Sequence, residues 1–114
     1  MTRCRFKLTK LAKQDLDDIW LSIARHNLER ADRMLDDIQE RFLLLGRFRE
    51  MGVVRENLAP SLRSFPIDDF LIFYRLSKQG IEIVRILPGK VDIERIFREG
   101  EQEKLDHYVS NDKS

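Results

Sequence analysis

A chain of 114 residues with 42% apolar and 36% charged side chains can build one globular domain with a modest core, and is too short for two. Its formal charge of +1 argues against holding nucleic acid by bulk electrostatics. The one cysteine cannot close an internal disulfide, and no apolar run approaches the roughly 18 residues that cross a membrane. With no signal-peptide core at the N-terminus either, the chain is expected in the cytoplasm.

Arg5 to Thr9 alternate polar and apolar side chains, which predicts a short strand. Cys4, in RCRFKLT, is therefore read as a buried strand residue rather than a nucleophile. Thr9 has the chemistry of a helix N-cap. Ala12, Leu16, Ile19, Trp20 and Ile23 mark one face of an amphipathic helix, with Lys13, Asp17 and Asp18 turned to water. The helix is expected to stop near His26-Asn27, and Asn27 to cap the next. Ala31, Leu35, Ile38, Phe42 and Leu45 then form a seam spaced four, three, four and three, too short for a coiled coil, which predicts a helical hairpin packed on another layer. Gly46 reads as its fraying end.

Gly46 to Ser61 has no clean period and contains Gly52 and Pro60; it is expected to connect, with a helical turn at Glu56 to Ala59. Three strands follow at Leu62 to Phe65, Phe70 to Ser77 and Ile81 to Leu87. Their turns fall at Asp68-Asp69 and Lys78-Gln79-Gly80, so the strands are antiparallel. Pro88-Gly89 ends the last strand, and Val91 to Arg98 is expected to form a short helix capped by Asp92. The expected fold is α+β: an N-terminal strand and a helical hairpin on an antiparallel sheet of three to four strands, with a short C-terminal helix. Residues 1–98 form the domain. Residues 99–114 are expected to form an acidic, mobile tail of charge −3, leaving +4 on the rest, a balance that suits an acidic partner.

Familiar catalytic sets are missing. His26 sits at a helix end and His107 in the tail, neither with metal-ligand spacing, so no metal or other cofactor is expected. Gly89 lacks the repeated glycines of a phosphate-binding loop. The Asp15-Asp17-Asp18 and Asp36-Asp37 clusters are read as solvated helix faces. The arginines of the sheet remain. Alternation groups Arg75 with Leu71 and Phe73, and Arg85 with Ile81, Ile83 and Leu87. Such arginines pack their stems on the sheet with heads in water or on a carboxylate, or offer a planar fork to a partner's carboxylate or phosphate.

The stretches LAKQDLDDIWLSIARHN, RADRMLDDIQERFLLL, APSLRSFPIDDFLIFYR and IEIVRILPGKVDIERIF together resemble the ParE branch of the RelE/ParE toxins of bacterial toxin–antitoxin modules, over roughly Phe6 to Ile96. The segment from Leu62 to Arg75 carries most of the likeness. RelE-like members resemble ribosome-dependent mRNA endonucleases that work through lysines, arginines and a tyrosine. At the matching positions this chain has Leu62, Ser64, Leu71, Val91 and Phe97, none able to move a proton or neutralise a phosphate. ParE-like members resemble non-enzymatic poisons of DNA gyrase, neutralised by a ParD-like antitoxin whose acidic amphipathic C-terminal segment folds along an apolar groove.

The resemblance therefore implies no catalysis, a gyrase target, a cognate antitoxin and a hetero-oligomer with it. Trp20, Arg63, Tyr74, Arg75, Arg85 and Lys90 are the candidate contacts to antitoxin or target, although Trp20 on the apolar stripe equally fits the core. The family's usual His-Gly-x-Arg-Asp after the last strand is here Pro88-Gly89-Lys90-Val91-Asp92, leaving Lys90 as the cation. Two alternatives stand beside the poison: a ribosome-dependent nuclease using Arg63, Arg75, Arg85 and Lys90, and a non-toxic antitoxin-binding module.

Overall fold

The computed structural model describes residues 5–99. Strand β1 (Phe6–Leu8) leads into α1 (Lys10–Ala24) and α2 (Leu28–Arg47), and then come β2 (Val53–Val54), β3 (Leu62–Ile67), β4 (Phe70–Ser77) and β5 (Gly80–Pro88). A short helix α3 spans 93–99. Cys4, His107 and the tail from residue 100 onward lie outside the described residues, as do the expectations placed on them.

The helices start where their capping chemistry stands. Thr9 Oγ1 accepts from the Ala12 amide at 3.1 Å and donates to the Val84 carbonyl at 2.8 Å, so one hydroxyl caps α1 and ties it to the sheet. Asn27 Oδ1 accepts from the Arg30 amide at 3.0 Å and starts α2. The helix α2 runs through Gly46 to Arg47, so Gly46 lies inside the last turn rather than at a frayed end. A Cβ there would stand 3.2 Å from the Arg5 carbonyl; the bare glycine lets the chain entering β1 pass close to the helix. Asp92 caps α3, accepting from the Arg95 amide at 3.2 Å.

The sheet has five strands in the order β1-β5-β4-β3-β2. The expected antiparallel strands are β3, β4 and β5, joined through Asp68-Asp69 and Lys78-Gln79. Two features differ from expectation. β1 pairs with β5 in parallel, Phe6 opposite Ile81 and Leu8 opposite Ile83, making the sheet mixed. β2 adds an antiparallel fifth strand at the far edge, Val53 opposite Ser64. Two residues carry no readable period, so β2 had looked like loop.

A bulge breaks the alternation of β5. Phe73 pairs with Arg85 and Tyr74 with Ile83, leaving Val84 as the extra residue. Ile81, Ile83 and Ile86 therefore face the helices, in a core with Ile19, Ile38, Phe42, Ile72 and Tyr74. Leu87, grouped with Ile81 and Ile83 by strict alternation, lies on the opposite face. There Leu58, Leu62, Phe73 and Leu87 form a second cluster, covered by Ala59 of the 55–61 turn and by Ile93, Ile96 and Phe97 of α3.

Candidate functional site

One end of the sheet is fixed by Tyr74. Its side chain is fully buried, so the hydroxyl must find partners inside the protein. It donates to the Arg49 carbonyl at 2.9 Å and accepts from the Gly52 amide at 2.8 Å. A Cβ on residue 52 would stand 2.5 Å from that oxygen, so only glycine allows this approach. Burial pushes the Tyr74 hydroxyl above its ordinary pKa, opposed by the Gly52 hydrogen bond and by the nearby Arg63 charge.

Arg63, opposite Tyr74 in the β3–β4 register, donates through Nη1 to the Glu50 carbonyl at 3.1 Å and the Gly52 carbonyl at 2.9 Å. Arg49 donates to the Ser77 carbonyl at 2.8 Å and the Gly80 carbonyl at 3.3 Å. Three side chains thus lash residues 49–52 to the sheet. The loop so held presents Phe48, Met51, Val53 and Val54 to solvent, 53%, 38%, 66% and 51% exposed.

The other candidate residues lie apart from this end. Arg85 grips Asp15 of α1 through Nε at 2.8 Å and Nη2 at 3.0 Å, and the same carboxylate accepts from the Ile86 amide at 2.9 Å. Asp15 was expected on a solvated face with Asp17 and Asp18; it is 8% exposed, because the bulge in β5 brings a cation and an amide to α1. Trp20 is half-buried, and its Nε1 donates to Asp32 Oδ1 at 2.9 Å, riveting α1 to α2. Arg75 is half-buried between Leu62 and Glu82 in the sheet register, and its Nε is buried with no hydrogen-bond partner among the described residues. Lys90 is exposed on a groove of ≈ 760 Å³ at the opposite end of the molecule, with Ile23, Met34 and Phe70 among its apolar lining and Asp68 and Asp69 on its rim.

The structure therefore brings Arg63 and Tyr74 together and separates Arg75, Arg85 and Lys90 from one another. Arg49 went unnoticed in the sequence because its partners are backbone carbonyls, and Asp15 was read as solvated because its partners sit on a bulged strand. Among the described residues, no group of three or more His, Cys, Asp and Glu side chains could hold a metal ion.

The face under α3 is hydrophobic. Leu62 is fully buried, Leu71 and Phe97 pack into the same cluster, and the Phe97 ring meets Phe73 edge-on with centroids 5.0 Å apart. Ser64 is 4% exposed and accepts from Arg55 at 3.3 Å.

A helical hairpin on a mixed five-stranded sheet, closed on the other side by a short helix, defines a small α+β domain. Residues 6–93 match the family described as the ParE toxin of the type II toxin–antitoxin system parDE. The chain belongs to that family. It is 30% identical over 86 residues to Toxin ParE3 of Caulobacter vibrioides, covering 75% of this chain and 86% of that protein. Toxin ParE1 of the same organism is 32% identical over 83 residues, covering 72% and 85%. A solved structure of the chromosomal ParDE system from P. aeruginosa superposes with a TM-score of 0.63 at 26% identity, over 77% of this chain and 96% of that one. Among the described residues no helix is long and apolar enough to cross a membrane.

Proposed function

We propose that this ParE toxin acts without catalysis of its own, as a poison of DNA gyrase neutralised by a ParD-like antitoxin in the cytoplasm. The observation that carries the non-enzymatic part is the sealed face under α3. Catalysis of ribose attack needs a base, an acid and cations around one phosphate. The corresponding positions hold Leu62, Ser64, Leu71, Val91 and Phe97, three of them packed around Phe73. An alternative set built from Arg63, Arg75, Arg85 and Lys90 finds no support in their placement, since Arg85 is committed to Asp15 and Lys90 lies at the other end of the sheet.

The antitoxin part is supported by the family and by the ParDE system of the solved relative. The test pairs two reactions. Purified protein is mixed with gyrase and supercoiled plasmid, and separately with a translating extract whose mRNA is mapped for cuts. Linear, gyrase-cleaved DNA with intact message is expected, and an added ribbon-helix-helix protein encoded beside the gene should abolish the linear product. Cut message with untouched plasmid would refute the reading.

A further inference from the structure

We propose that the β2 end of the sheet is a docking edge for an extended peptide that alternates carboxylate and apolar side chains. The inference deepens the antitoxin half of the proposed function and rests on it for the presence of such a segment; gyrase poisoning can fail without touching it.

Three independent features coincide there. First, β2 is the last strand of the sheet. The Arg55 amide donates inward to the Leu62 carbonyl at 2.7 Å, so by antiparallel alternation the N–H and C=O of Val54 point outward to the open edge. An unpaired edge offers main-chain hydrogen bonds to an incoming strand, and natural proteins ordinarily blunt such edges with charge or proline. Here the edge strand is only two residues long, and both are valines.

Second, Phe48, Met51, Val53 and Val54 expose large apolar side chains within one short stretch of chain. Large apolar side chains gathered along one edge in this way suit a partner better than scattered exposed leucines do. The stretch is also held in place: Tyr74, Arg63 and Arg49 bind residues 49–52 through backbone groups, so a partner meets a preformed surface and avoids an ordering cost.

Third, the charges beside the edge are cationic and, among the described residues, unpaired by carboxylates. Residues 47–63 carry Arg47, Arg49, Arg55 and Arg63 against Glu50 and Glu56. The ion pairs among the described residues are Asp15–Arg85 and Arg95–Glu99, so none of these four guanidinium groups is paired with a carboxylate. Arg49 and Arg63 are oriented by carbonyls through Nη1, leaving further N–H groups for an incoming carboxylate. Apolar contact, an open strand edge and oriented guanidinium groups together specify a carboxylate-bearing extended peptide. A nucleic-acid backbone would need the cations and gain nothing from the valines.

The experiment titrates the full chain into a fluorescein-labelled synthetic peptide alternating glutamate and valine, followed by anisotropy, with a lysine-for-glutamate peptide alongside. Val54→Pro removes the outward N–H, and Val53→Asp places like charge on a side chain that is 66% exposed. Leu21→Asp, on the exposed surface of α1, is the control, and thermal melts verify that each variant is folded. Binding of the acidic peptide is expected, weakened about tenfold or more by either β2 variant and unchanged by the control. Equal binding of the lysine peptide, indifference to both β2 variants, no binding at all, tighter binding of a DNA duplex, or self-association of the chain lost on Val53→Asp would each overturn the proposal. The titration reads the surface alone, while relief of gyrase poisoning reads the function, so each can fail without the other.

Discussion

Breaking the Asp15–Arg85 pair should unfold this domain more readily than any surface change, and the size of the effect follows from the geometry. Asp15→Ala deletes two charge-assisted bonds to Arg85 and the bond from the Ile86 amide. Each bond to a charged group contributes about 1.5–3 kcal/mol when removed alone, but the three share one carboxylate and do not add. The Arg85 side chain is 21% exposed, so water recovers part of its loss. A net cost of about 3 kcal/mol results, at the low end of the range for breaking a buried pair, and lowers the melting temperature by roughly 12–24 °C. Arg85→Met should cost a similar amount, because it strands a carboxylate whose side chain is 9% exposed. Asp15→Leu combined with Arg85→Met should recover only part of the loss, since an apolar pair of similar size replaces the ions but the buried Ile86 amide loses its acceptor. Urea unfolding followed by the fluorescence of Trp20, the single tryptophan, measures all three. If Arg85→Met keeps full stability yet weakens binding of the acidic peptide or an antitoxin, Arg85 serves a partner and the structural argument is wrong.

Tyr74→Phe should cost about 2 kcal/mol, from two hydrogen bonds at about 1 kcal/mol each, seen as a lower urea midpoint. The Tyr74 pKa is raised in the folded protein, so the stability contributed by its neutral hydroxyl is complete below the unfolded value of about 10 and is lost as pH rises above it; a stability-versus-pH series in which Tyr74→Phe shows the same alkaline decline would contradict this. Gly52→Ala should destabilise by about 1–3 kcal/mol through collision with the Tyr74 hydroxyl, and pairing it with Tyr74→Phe should cost less than the two changes separately. Leu62→Lys puts a charge at a fully buried position and should cost upward of about 3 kcal/mol without producing mRNA cleavage; cleavage by a folded Leu62→Lys protein would show that the face under α3 is a latent nuclease site.

Periodicity carried the helical hairpin and the three long strands because each has enough residues to repeat its pattern, and Thr9 and Asn27 cap as their side-chain chemistry requires. β1 was legible as a strand, but its parallel partner was not. Phe6 and Ile81 are joined by a register that no local pattern encodes. β2 was invisible because a strand of Val53-Val54 is shorter than one period of anything. The bulge at Val84 had the widest consequence. Strict alternation put Leu87 with Ile83, and the extra residue moved Ile86 into the helix-side core and carried Arg85 to Asp15. Among the candidate contacts, Arg63 and Tyr74 were picked out separately, and their pairing across the hairpin was not read. Their task of holding residues 49–52 depends on backbone carbonyls, which sequence does not display.

The two faces of the sheet are constrained to different degrees. On the helix side, Ile72, Tyr74, Ile81, Ile83 and Ile86 must pack against the hairpin, so that face is fixed by folding. Among the described residues, the other face is covered by the 55–61 turn and α3, and its composition is free to vary as long as the cover matches it. Charged residues there would oblige α3 to lift or shorten, since an ammonium or guanidinium cannot sit beneath Ile93, Ile96 and Phe97 without losing its water. Hydrophobic residues there instead draw α3 down, as the edge-on contact of Phe73 with Phe97 shows. Placing nuclease chemistry on that face would thus demand coordinated changes in β3, β4 and α3, whereas the proposed recognition at the β2 edge would change by single exposed residues. Substitutions such as Val53→Asp should accordingly alter binding at nearly constant stability, while any charge introduced beneath α3 should be read first as a loss of fold.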